Sequence, residues 1–160
     1  PPKDWDFGDV PQEFFIDVLV GVVNELEYFN AMLKSQALKH NFDIYGEPIS
    51  AVAKIDGDYM INVAKKLPFE AWIAVNWAGL RFVYDGFSVA QESIKRNGYK
   101  YAFQDYIDVY TSPLFKNSSD QLEFLTNIIY KSKCANRKIA IKVISDHINN
   151  DYALLADNIN

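Results

Sequence analysis

Residues 68–98 read PFEAWIAVNWAGLRFVYDGFSVAQESIKRNG, and the fold class turns on this stretch. Phe69, Ile73, Trp77, Leu80, Tyr84 and Phe87 recur at steps of three and four, the period of a helix face rather than a strand. Trp72, Val75, Gly79, Phe82 and Val83 lie beside that stripe. The helix predicted over 69–97 is therefore apolar around nearly its whole circumference and belongs at the centre of a fold. Pro68 suits a first helical turn, and Asn97-Gly98 supplies a left-handed stop. Gly79 and Gly86 would each cost about 1 kcal/mol relative to alanine inside a helix. Such a cost points to close approach of a neighbouring backbone or a ligand.

The flanking segments carry the same period. Asp9-Val10-Pro11-Gln12 offers a capping acid, a first-turn proline and a glutamine at the capping-box position. The stripe Phe15, Val18, Leu19, Val22, Leu26 and Phe29 follows. With Phe14, Val20 and Val23 also apolar, this helix is expected to face the core through much of its circumference, and the spacing continues to Asn41. Tyr45-Gly46-Glu47-Pro48 breaks it. Residues 49–63 admit two readings. Asp56-Gly57 fits a hairpin turn with alternation on both sides, whereas Val52, Ile55, Tyr59, Val63 and Leu67 fit a helix. Helix is favoured because the neighbouring segments are helical. Tyr101, Tyr106, Val109 and Tyr110 suit a helix ending before Pro113. Ser118-Ser119-Asp120-Gln121 reads as a capping box opening a helix through Leu122, Leu125, Ile128 and Ile129. Ile139, Val143, Ile144 and Ile148 carry a last helix to Asn149-Asn150. The expectation is an all-α fold, a compact bundle of six to eight helices around the central hydrophobic helix at 69–97. It forms one helical domain over 1–160, without internal repeat or linker.

Composition bounds the function. The 160 residues are 49% hydrophobic and 15% aromatic, which suits a globular core, and the net charge is −5. Residues 1–50 hold 3 Lys against 9 Asp/Glu, a net of −6, whereas the remainder is close to neutral. That acidity argues against a nucleic-acid partner. Lys131, Lys133, Arg137, Lys138 and Lys142 form a local basic run, read as a solvated helix face ahead of an anionic-partner patch. No transmembrane span is expected, since the longest uncharged apolar run is residues 71–80. The first residues do not read as a secretory leader. A single Cys134 makes no internal disulfide and favours a reducing, intracellular setting.

Phosphate-binding glycine loops, metalloprotease helices, nucleophile elbows and paired C-x-x-C motifs are absent from the sequence. Cys134 with His147 and Asp146 is the one candidate set of nucleophile, base and orienter, set against a reading of His147 as a core residue beside Ile144 and Ile148. Asp56 and Asp58 flank Gly57 like a fragment of a calcium loop, but the closing acid of an EF-hand is missing, and a turn is favoured over a metal site. Asp105 with Asp108 and Glu25 with Glu27 read as solvated surface acids. No catalytic residue, metal site or cofactor is therefore assigned.

Residues 74–81, Ala-Val-Asn-Trp-Ala-Gly-Leu-Arg, followed by Asp85-Gly86 and Glu92-Ser93, resemble the first homology motif of Bcl-type apoptosis regulators. The stretch from Tyr106 to Pro113 and on to Leu125 looks like that family's passage into its second motif, and the helix from Phe15 to Gly21 is similar to the opening helix of compact viral members. Arg81 stands four residues after Trp77, where the motif has its arginine two after, and the second motif's tryptophan is missing. The resemblance implies a non-enzymatic, pro-survival protein that binds an amphipathic pro-apoptotic helix in a hydrophobic groove. The implied partner-binding residues are Tyr59, Val63, Asn76, Trp77, Arg81, Phe82 and Tyr84, with Asn76 hydrogen-bonding at the groove and Arg81 pairing the partner's aspartate. It also implies a cytoplasmic location, with association at the mitochondrial outer membrane surface as a further expectation. The alternative is an acidic immunity- or antitoxin-like protein whose first 50 residues mask a basic partner.

Overall fold

In the computed structural model, residues 10–46, 48–99, 101, 104–131 and 136–159 are described. Among them are six α-helices and no strand: α1 (Gln12–His40), α2 (Ala51–Lys66), α3 (Phe69–Asn97), α4 (Gln104–Tyr110), α5 (Pro113–Lys131) and α6 (Arg137–Ile159). The all-α expectation holds, and the long hydrophobic helix at 69–97 is α3. Residues 51–66 resolve to helix rather than hairpin. The Ser50 hydroxyl caps α2 by accepting from the Ala53 amide at 3.1 Å, and Asp56-Gly57-Asp58 lies inside the helix, not at a turn.

Helix ends follow local chemistry. Asn41 closes α1 in the left-handed region, at φ 52°, where asparagine is tolerated. Gly98, at φ 66°, closes α3 as the sequence predicts. Pro11 precedes α1 with extended backbone, and the capping acid proposed at Asp9 lies outside the described residues. Two boundaries differ from expectation. Helix α5 opens at Pro113, not Ser118, because the Ser112 hydroxyl accepts from the Phe115 amide at 3.2 Å while Pro113 fills the first turn without needing its own donor. Ser118-Ser119 is consequently buried mid-helix. Helix α6 continues through Asn149-Asn150 to Ile159, since neither asparagine is a strong enough breaker to end a helix already propagating.

The chain forms two compact units. The first is built on the described residues of 49–79 and 121–159, and its core holds Val63, Ile73, Leu122, Leu125 and Val143. Within it, α2 packs along α6. Ala71, Ile73, Ala74 and Val75 of α3 are fully buried, so Ile73 and small side chains beside it, rather than the aromatic members of the stripe, occupy the deepest positions. The second unit comprises residues 11–48 and 80–120. Its core is aromatic and centres on Tyr110, which stacks on Phe87 at 4.9 Å and meets Phe115 edge-on at 5.0 Å, with Phe29 at 5.8 Å. Gln36 and Asp105 join α1 to α4 through a 2.6 Å hydrogen bond, to which Lys39 adds an ion pair at 3.2 Å.

Candidate functional site

Of the residues the resemblance implies, Tyr59, Val63, Asn76 and Trp77 belong to the first unit and Arg81, Phe82 and Tyr84 to the second. Val63 is a core side chain, 1% exposed. The Asn76 amide donates to the Trp72 carbonyl of its own helix at 2.7 Å. Trp77 is half-buried, and its indole N–H has no acceptor among the described residues. Arg81 donates from Nε to Asp85 at 2.9 Å, one turn further along α3. Phe82 and Tyr84 are half-buried. The Tyr59 hydroxyl donates to the Val143 carbonyl at 3.3 Å and lies 3.4 Å from an Asp146 oxygen. Burial, with the negative charges of Asp146 and Asp56, pushes that hydroxyl up to about 12.

The first unit also gathers a polar cluster around His147. Its side chain is 7% exposed, with Asp56 Oδ1 of α2 lying 3.3 Å from Nδ1 and Asp151 Oδ2, one turn along α6, 3.7 Å from Nε2. Gly79 of α3 makes room for the ring: a Cβ there would sit 2.8 Å from Nε2. Gly79 thus has a close neighbour, but it is the His147 side chain and not the backbone or ligand expected, whereas Gly86 faces open space. Burial holds the Asp151 carboxyl above the ordinary range, His147 pulls it down and Asp56 pushes it up again. Asp146, placed beside His147 in the candidate nucleophilic set, instead receives Lys142 and lies against Tyr59, and Cys134 is outside the described residues. Sequence reading missed this cluster because Asp56 and Asp151 are 95 positions apart; the i,i+4 pair His147 and Asp151 was its visible half.

The second unit exposes a broad apolar face. On α1, Ile16, Leu19, Val20, Val23 and Leu26 are 43% to 59% exposed. Their spacing places them on one side of the helix, bordered by the buried Phe15 and turned away from Val18 and Met32, which are also buried. The expectation that α1 faces the core through most of its circumference is therefore not met. Exposed beside this stripe are Glu13, Asp17 and Glu27, and residues 12–33 contain no Lys, Arg or His. Glu25 points the other way. It is half-buried, one carboxylate oxygen has no donor among the described residues, and burial holds its carboxyl above the usual range despite a hydrogen bond with Ser118. Glu25 and Asp105 are thus engaged in the fold and are not simply solvated acids. In the basic run, Arg137 lies 4.5 Å over the Tyr130 ring and Lys142 pairs with Asp146.

No family model, curated protein or solved structure matches this chain. Among the described residues, no helix is long and apolar enough to cross a membrane.

Proposed function

We propose that the protein is a non-enzymatic binder of an amphipathic helix from a partner protein, in the manner of Bcl-type regulators that sequester pro-apoptotic helices, and that the outer face of α1 makes the contact. The observation that carries this reading is the stripe of five exposed apolar side chains on one helix face. A contiguous apolar patch on a surface is costly to leave in water and marks a place where another surface is covered. The acidic rim selects the partner's chemistry. Glu13, Asp17 and Glu27 favour a helix whose apolar stripe is flanked by Lys or Arg. A second copy docking through the same face would bring these acids toward their own counterparts, because a two-fold interface pairs a patch with itself. The arrangement unites the two expectations from sequence: helix recognition through apolar anchors, and an acidic N-terminal segment meeting a basic partner.

The test is titration with a panel of helical peptides, pro-apoptotic sequences and a basic amphipathic design among them. The double variant V20E/V23E is expected to weaken binding at least about tenfold by placing charge within the buried contact, while R81A leaves it within about threefold. No peptide binding at about 50 μM, an affinity near −6 kcal/mol, would sink the reading. Loss of binding in R81A but not in V20E/V23E would move the contact to the groove implied by the family resemblance and overturn the assignment to α1.

A further inference from the structure

We propose that Asp56, His147 and Asp151 form a binding site for a divalent transition-metal cation, Zn2+ by its donor set, that ties α2 to α6. This inference is independent of the helix-binding reading. One donor atom from each residue lies within 4.8 Å of the other two, and all three side chains are largely withdrawn from solvent. Two carboxylates and a neutral imidazole carry a charge of about −2, which one divalent ion balances, and an imidazole among the ligands favours Zn2+ over Ca2+ or Mg2+.

Among the described residues, none supplies a competing cation. Lys142 is paired with Asp146, and Tyr59 adds no positive charge. Among the described residues, Asp56 and Asp151 have no cationic side chain at ion-pair distance except His147. Partly buried acids with so little compensation raise the free energy of the fold, and a bound cation relieves both at once. Zinc bonds of about 2.0–2.1 Å set neighbouring donors of a tetrahedral site about 3.3 Å apart. One ion bonds a single imidazole nitrogen, so only one of the observed separations, 3.3 Å at Nδ1 or 3.7 Å at Nε2, is a donor–donor distance of the site, and the other carboxylate supplies an oxygen within 4.8 Å of the same nitrogen. Carboxylate rotation by about 1.5 Å at the oxygens brings the third donor in, and water takes the fourth position.

The experiment uses the full chain freed of metal with a chelator and titrated with Co2+, followed by visible absorption, Zn2+ displacement and thermal unfolding. The site predicts saturation at about one equivalent, displacement by Zn2+, and an unfolding temperature that rises with metal concentration, as for any ligand that binds only the folded state. D56N and D151N are expected to bind at least about tenfold more weakly, while H40Q, on α1, retains binding. Both variants keep side-chain shape and remove a partly buried charge, so the folded state should persist, which far-UV circular dichroism checks. No cobalt spectrum with the unmodified chain overturns the proposal, as does undiminished binding by folded D56N and D151N.

Discussion

Helices α1 and α3 are each 29 residues long, and both read in sequence as apolar around most of their circumference, yet the fold treats them differently. Residues 69–79 of α3 are enclosed: Ala71, Ala74 and Val75 on one face and Ile73 across from them have 0% exposure. Helix α1 buries Phe15, Val18 and Met32 and leaves five branched aliphatic side chains on its outer side in water. Size accounts for part of this contrast. Alanines on α3 let neighbouring backbones approach closely, so packing closes around the helix. The outer face of α1 has no such small-residue stripe and stays exposed, which is why it is proposed as the recognition face.

The largest effect that separates the two helices is a core truncation. I73A in α3 removes a fully buried side chain and is expected to cost about 2–5 kcal/mol in chemical denaturation. V23A on the outer face of α1 should stay within about 0.5 kcal/mol of the parent. Equal losses would break the contrast. Glycine substitutions sharpen it at α3. G79A drives a methyl against the His147 ring and is expected to destabilise by about 1–3 kcal/mol. G86A, facing open space on the same helix, should instead stabilise by up to about 1 kcal/mol, as should G57A in α2. A thermal melt of the three variants reads both signs. Next in size is S112A, expected to cost about 1 kcal/mol by removing the α5 cap; an unchanged melt would place the helix start elsewhere.

The smallest prediction concerns the inner side of α1. The Glu25 carboxyl is held above its ordinary value of 4.5, so the folded chain binds more protons than the unfolded chain in the interval from 4.5 upward. Its contribution makes stability fall as pH rises through that interval. E25Q should flatten this part of the profile and raise stability at neutral pH relative to the parent, as measured by urea unfolding at several pH values. A profile unchanged by E25Q would show that Glu25 is better solvated than its position on α1 implies.

Much of the fold is legible in the sequence because helical periodicity is local. The helical period of α1 and α3, the stop at Gly98 and the helix break before Pro113 all follow from residues within a turn or two of one another. What was lost depended on competition between signals. Ser112-Pro113 is a stronger helix start than Ser118-Ser119-Asp120-Gln121, because the proline needs no amide partner and the serine hydroxyl is free to cap. The side of a helix that faces the core is a property of its neighbours, which is why the apolar circumference of α1 did not disclose its exposed half. The cluster at His147 was hidden for the same reason, since Asp56 reaches it only once α2 packs along α6. Of the groove implied by the family resemblance, the sequence could give residue types but not their engagements: Asn76 bonds to its own helix and Arg81 to Asp85.

The most direct test of the recognition face is amide chemical-shift mapping of the full chain during titration with a basic amphipathic helical peptide. Saturating shifts concentrated at residues 13–27, with little change at 59–67 and 76–84, are the predicted result. Shifts concentrated at 59–67 and 76–84, with α1 silent, would contradict it.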